Sequence, residues 1–267
     1  MEKAKINAFQ LLEKVRTDKP VIHHLTNWVT IYDCANVVKV FGASPVMAHA
    51  LEEVAEMSAI ASALVLNIGT LTVDFIQAMK IAASSANKKG IPVILDVCGA
   101  GATALRDKSC LEILDECRIN IIKGNASEIA RISGLDVKTK GVDANIVESD
   151  LKELAKELAS KRKSIVVITG QEDIVSDGHN DYVIKNGNAM MGDIVGTGCM
   201  AASVIGTFAA VERDLVLAAA SGLVCFEVAS ECAVNKSQGP GSFKEKLYDC
   251  IYFLDEKTVN NMQKVYR

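Results

Sequence analysis

The chain has 267 residues, 49% of them hydrophobic and 23% charged, with a formal net charge of -4 at pH 7. That length suffices for a large α/β domain burying about 70 to 75% of its unfolded surface, and the mild acidity offers no electrostatic footprint for a nucleic acid or an anionic membrane. A small-molecule enzyme fits these bounds better.

In chain order, short apolar runs at Val21 to Leu25, Ser44 to Ala48, Ala63 to Ile68, Pro92 to Val97, Ile119 to Ile122 and Ile165 to Ile168 read as buried parallel strands. Helix-period segments lie between them at Thr30 to Val40, Leu51 to Ser62, Val73 to Lys89 and Ser149 to Lys161. This alternation predicts an α/β fold, a mostly parallel sheet with helices on both faces, organised as one domain over 1-267. From Asp173 the pattern changes: Asp173 to Ser176 and Tyr182 to Lys185 predict an antiparallel hairpin. The charge-free run Ile194 to Val211 approaches membrane length, but its glycines and hydroxyl residues make it a poor span. Leu215 to Ala233 and Ser242 to Tyr266 then read as helical, broken at Gly239-Pro240-Gly241. Eight cysteines occur without a CxxC pair, and Met1 to Lys14 lacks the apolar core of a signal peptide, so the expected setting is cytoplasmic and reduced.

The strongest chemical signal is Gly192 to Cys199 feeding the uncharged run Met200 to Val211. A glycine-rich loop at the start of a buried helix leaves backbone N–H groups and the positive end of the helix dipole facing one point, which makes an anion hole suited to phosphate. Gly196, Thr197 and Gly198 would form it, with Cys199 beside the guest. A thiol there is biased toward thiolate; a lone cysteine starting an apolar helix is most often just a small buried hydrophobe, and the preceding Gly196-Thr197-Gly198 is what lifts this one. None of His23, His24, His49 or His179 is placed to partner it as a nucleophile, so base or positioner ranks above nucleophile.

Other unusual residues fall at the carboxyl ends of the expected strands, where such sheets gather ligands. Asp96 precedes Gly99 and Gly101 and reads as a metal or phosphate station, or as a plain strand-to-helix turn. Asn125 and Glu128 suit a helix cap, while the carboxylate also suits a magnesium ion held through water. Lys123 offers a point cation to phosphate. Thr169 offers a hydroxyl, or only a turn.

The strings His24-Leu25-Thr26-Asn27, Gly42-Ala43-Ser44-Pro45-Val46-Met47-Ala48, Gly99-Ala100-Gly101-Ala102-Thr103, Gly124-Asn125-Ala126-Ser127-Glu128 and Gly196-Thr197-Gly198-Cys199 together resemble the hydroxyethylthiazole kinase family, in the family's order and over most of the chain. The resemblance implies a ribokinase-like three-layer fold and transfer of the ATP γ-phosphoryl group to the primary hydroxyl of 4-methyl-5-(2-hydroxyethyl)thiazole, with Mg2+. It implies Met47, Gly196 and Asn27 near the thiazole, Lys123, Thr169 and Asn125 near ATP, Asp96 and Glu128 near the metal, and Cys199 as base or positioner. It further implies a homotrimer with active sites between subunits. Three positions depart from the family pattern: Lys123 stands where arginine is more common, Val97-Cys98 where Pro-Val is expected, and His49 where an aspartate is expected. Rival readings are another ribokinase-like kinase, a nucleotide-dependent dehydratase, or a nucleotide-binding regulator without chemistry.

Overall fold

Apolar runs too short for helices and buried on both faces can satisfy their backbone only by pairing with one another. The computed structural model, which describes residues 2–134 and 148–267, shows this pairing. Strands β1 (Lys3–Ala4), β2 (Val21–Leu25), β3 (Ser44–Val46), β4 (Ala63–Asn67), β5 (Val93–Asp96), β6 (Ile121–Asn125), β7 (Ile165–Thr169), β8 (Asp173–Ser176), β9 (Asp181–Ile184) and β10 (Val265–Tyr266) form one sheet in the order β1-β10-β9-β8-β7-β6-β5-β4-β2-β3. The stretch from β3 to β7 is parallel, and the far edge from β7 to β1 is antiparallel. Pro45 lies in β3, an edge strand, where its missing N–H costs no ladder bond.

Successive strand residues point to opposite faces, so each strand feeds two cores. On one face, Val65 and Ile94 meet Leu12, Val37, Val204, Phe226, Phe243 and Val259. These come from α1 (Ala8–Asp18), α2 (Ile31–Phe41), α8 (Thr197–Ala209), α9 (Leu215–Val234), α10 (Pro240–Tyr252) and α11 (Glu256–Met262). On the other face, Leu64, Leu95 and Ile122 meet Val54, Met79, Ile113, Ile129 and Leu158. Those belong to α3 (Val54–Ile60), α4 (Val73–Lys89), α5 (Ala104–Glu116), α6 (Ala126–Ser133) and α7 (Glu148–Arg162). The expected three-layer α/β architecture is therefore present.

Local differences from the sequence reading have identifiable causes. Helix α3 starts at Val54 rather than Leu51, and β3 stops at Val46. The segment Ser242 to Tyr266 is not one helix: Asp255 caps a new helix by accepting from the Thr258 N–H at 2.7 Å, and the chain ends as a strand pairing with β9. Helix α5 is too weakly amphipathic for periodicity to single it out, whereas α1 carries Ala8, Leu11, Leu12 and Val15 at helical spacing, ahead of the first run read above. The charge-free run resolves into a loop and the 13-residue α8. One described helix, Leu215–Val234, is long and apolar enough to cross a membrane, and 78% of its apolar window is buried inside the protein.

Gly206 is where α8 lies closest to the sheet. A Cβ there would collide with Val65 Cγ2 and touch Ile94 Cδ1 at 3.6 Å. Gly206→Ala should therefore destabilise by about 1–3 kcal/mol from overpacking, although alanine is the better helix former by roughly 1 kcal/mol. Urea unfolding checks this; a stabilised variant would contradict the packing reading.

Candidate active site

The parallel register places Asn67, Asp96 and Lys123 side by side at the tips of β4, β5 and β6. All three are buried. Asn67 Nδ2 donates to Asp96 Oδ2 at 2.8 Å, and Lys123 Nζ lies 3.6 Å from the same oxygen. Asp96 Oδ1 is buried and has no hydrogen-bond partner among the described residues. Burial pushes the Asp96 carboxyl up from its ordinary range, and the Lys123 ammonium draws it only part of the way back. Burial works against the charge on Lys123, but Asp96, Glu128, Cys199 and Cys98 around it more than offset this and hold it charged.

The Cys199 sulfur completes this cluster. It accepts from Asn27 Nδ2 at 3.2 Å and Asn67 Nδ2 at 3.3 Å. Its pKa is lowered to about 5, chiefly because the Cys98 thiol donates to it. Burial opposes that shift, while the Thr30 hydroxyl, the Lys123 ammonium and the Asn27 amide add to it. Asn27 is itself fixed: its Oδ1 accepts from the Thr30 N–H at 3.1 Å and the Thr30 hydroxyl at 3.0 Å. Its amide thus aims at the sulfur.

The N-termini of α6 and α8 both open on this rim, and they differ. Helix α6 is closed by its own side chains, because Asn125 Oδ1 accepts the Glu128 N–H at 2.9 Å and Glu128 Oε2 accepts the Asn125 N–H at 2.8 Å. The other Glu128 oxygen accepts the Gly99 N–H at 2.7 Å. Helix α8 has no such closure. Its N-cap is Gly196, which supplies no side-chain acceptor for the first amides. With φ at 99° and a would-be Cβ 2.6 Å from Thr30 Cγ2, that position requires glycine. Gly198 leaves room for the Lys123 ammonium, which would stand 3.3 Å from a Cβ there.

Thr197 and Gly198 form one side of a cavity of about 890 Å³ whose walls include Asn125, Thr169, Phe226 and Glu227. The Thr169 hydroxyl has only a long 3.5 Å contact to the Gly124 carbonyl, which leaves it available to a ligand. The structure thus brings together Cys199, Gly196, Thr197, Gly198, Asn27, Lys123 and Asp96, with Asn125, Thr169 and Glu128 along the adjoining rim. Met47 stands apart: it is half-buried beyond β3, and its carbonyl accepts from His49 Nδ1 at 3.3 Å. His23 and His24 are core residues, as their place in the first strand suggested. His23 is bonded to Ser58 Oγ at 2.9 Å and the Ala48 carbonyl at 2.8 Å, while burial lowers the His24 pKa to about 4.

Sequence reasoning overlooked three residues that shape the site. Asn67 sat unremarked inside an apolar run, although an amide at a strand tip was the available signal. Cys98 was noted only as a departure from a family pattern. Arg106 donates to the carbonyls of Ile68 at 3.0 Å, Cys98 at 3.1 Å and Gly69 at 2.7 Å, locking the loops after β4 and β5 together. Its sequence position on a weakly amphipathic helix gives no hint of this.

Residues 12–257 match the hydroxyethylthiazole kinase family. The hydroxyethylthiazole kinase of Methanosarcina mazei is 54% identical over 254 residues, covering 95% of this chain and 97% of that protein. The solved structure of the hydroxyethylthiazole kinase protein of Pyrococcus horikoshii superposes with a TM-score of 0.89 at 39% identity, covering 97% of this chain and 98% of that one. A ribokinase-like superfamily protein of Enterococcus faecalis shares the fold, with a TM-score of 0.63 at 13% identity and coverage of 94% and 98%. With a matched family span, a majority-identical relative and a site whose strand tips and glycine loop lie where that fold collects ligands, this chain belongs to the hydroxyethylthiazole kinase family.

Proposed function

We propose that Cys199 acts as the base or positioner for the acceptor alcohol while the free amides of α8 receive the migrating phosphoryl group. The reaction itself, phosphorylation of 4-methyl-5-(2-hydroxyethyl)thiazole by ATP in thiamin salvage, follows from membership of the family. One observation carries the reading: the N-terminus of α6 is filled by its own side chains whereas that of α8 is not, and the sulfur held by two asparagine amides lies in the first turn of α8.

Phosphoryl transfer needs charge stabilisation and alignment more than covalent help. The α8 amides and the Lys123 ammonium are fixed before substrate arrives, so they stabilise transferring charge without reorganising. The thiolate accepts the alcohol proton as the new O–P bond forms. Asn125 and Thr169 line the cavity that accommodates the nucleotide, while the places of Met47, Gly196 and Asn27 beside the acceptor alcohol rest on the family resemblance. Asp96, with one buried oxygen unpartnered, suits a magnesium ion held through water, with Glu128 beside it. Among the described residues no three His, Cys, Asp or Glu groups converge to hold a metal unaided, so phosphate oxygens and water would complete its shell. The ion supplies charge neutralisation on the phosphates.

Trp28, Val29, Tyr32 and Val195 are exposed apolar residues flanking Thr30 and Gly196, which supports an assembly, a homotrimer, that covers this edge of the site. Eight unpaired cysteines support a reducing, cytoplasmic setting, and the continuous sheet supports a single domain.

Cys199→Ala should slow turnover by about 10² with thiazole affinity nearly intact, and Cys199→Asp should keep or improve activity. Unchanged turnover of Cys199→Ala in single-turnover assays would remove the base role. A thiolate is lost as pH falls through its pKa, so the acid limb of kcat/KM, which reports groups of the free enzyme, should lie near pH 5 rather than in the ordinary thiol range. A rate profile with its limb above pH 8 would contradict a preformed thiolate. Glu128→Gln breaks one cap bond and should cost about 0.5–2 kcal/mol of stability. It should also raise the magnesium requirement severalfold while leaving the thiazole KM nearly unchanged; magnesium titrations of the folded variant decide between cap and metal roles.

A further inference from the structure

We propose that Asn67 is a positioning residue for the transfer: its amide fixes the sulfur of Cys199 relative to the Asp96 carboxylate, so that the group taking the alcohol proton is aligned before substrate binds. The inference rests on the role proposed for Cys199 and deepens it. Asn67 ends β4, is 1% exposed and uses both polar atoms of its side chain. Its Oδ1 accepts the Gly69 N–H at 2.9 Å and Asn27 Nδ2 at 3.1 Å. Its Nδ2 donates to Asp96 Oδ2 at 2.8 Å and to Cys199 Sγ at 3.3 Å. These partners admit the amide in one sense only, because a flipped amide would turn N–H groups toward the Gly69 N–H and an oxygen toward the carboxylate. Gly69 contributes by lacking a side chain: a Cβ there would stand 3.0 Å from Asn67 Oδ1 and from Asn27 Cβ.

A cysteine side chain has a single rotor with three staggered settings, of which a helix disfavours one. The donors around Sγ select between the others. Asn27 and Asn67 supply one N–H each, and they differ in what stands behind them. Asn27 is held by the turn that follows it, through the Thr30 N–H and hydroxyl. Asn67 is bonded to Asp96 and therefore ties the sulfur on α8 to the carboxylate at the tip of β5. Asn67 lies behind the sulfur and is not part of the wall of the nucleotide cavity. Its loss therefore acts on the alignment of the proton acceptor and not on the binding of ATP.

The test measures kcat and KM for Asn67→Leu, alone and combined with Cys199→Ala. Leucine keeps the volume and removes both donors. With the sulfur misplaced, kcat should fall roughly 10- to 100-fold, and the KM values for ATP and the thiazole alcohol should stay within about twofold of those of the unaltered chain. In the Cys199→Ala background the same change should cost less than about threefold, since two residues acting through one group are not additive. If circular dichroism shows that the leucine variant does not fold, Asn67→Asp takes its place, because it keeps the acceptor bonds to Gly69 and Asn27 and removes the amide donors. Equal losses of kcat in the two backgrounds would overturn the proposal, since the effect would then run through Asp96 or the fold and not through the sulfur. An unchanged kcat beside a slow Cys199→Ala would remove the positioning role alone, as would a raised KM at constant kcat. Full turnover by Cys199→Ala would remove the base role and this inference with it.

Discussion

Gly196 sets the geometry on which the site depends. Its φ of 99° turns the chain into α8, and the missing Cβ lets Thr30 pack where any side chain would collide. The same absence leaves the first amides of the helix without a side-chain acceptor. A helix end in this condition is left for water or an external anion to fill. The long buried body of α8, locked against β4 through Gly206 and Val65, keeps that end from moving to satisfy itself.

Around this opening the protein gathers charges that would be costly alone. Asp96 and Lys123 are both buried, and 3.6 Å is too long for a tight pair. Removing two such groups from water is expensive unless each retains enough partners. Asn67 supplies one by bonding Asp96, and its second N–H reaches the sulfur of Cys199. The remaining Asp96 oxygen has no hydrogen-bond partner among the described residues. This residual imbalance is of the kind that a charged occupant would relieve, as in the function proposed above. Arg106 and Glu128, both held by backbone groups, keep the surrounding loops from collapsing into the opening.

The sequence by itself determined the layered α/β architecture and the importance of the glycine loop, because strand and helix periods and glycine's tolerance of positive φ are local properties. It also located Asp96, Lys123, Asn125 and Glu128 at strand ends, since ligands and caps leave polar residues where apolar runs stop. It could not choose between cap and metal roles for Glu128, because both use the same carboxylate three residues after the same asparagine. Nor could it see α5, whose periodicity is weak, or the strand at the chain's end that completes the sheet edge. Tertiary structure alone decided which distant groups meet. Asn67 and Asn27 reach Cys199 across 132 and 172 residues, and Cys98 comes to the same sulfur from another strand tip. Only the register of parallel strands, fixed by burial of both faces of the sheet, brings such residues within hydrogen-bonding distance.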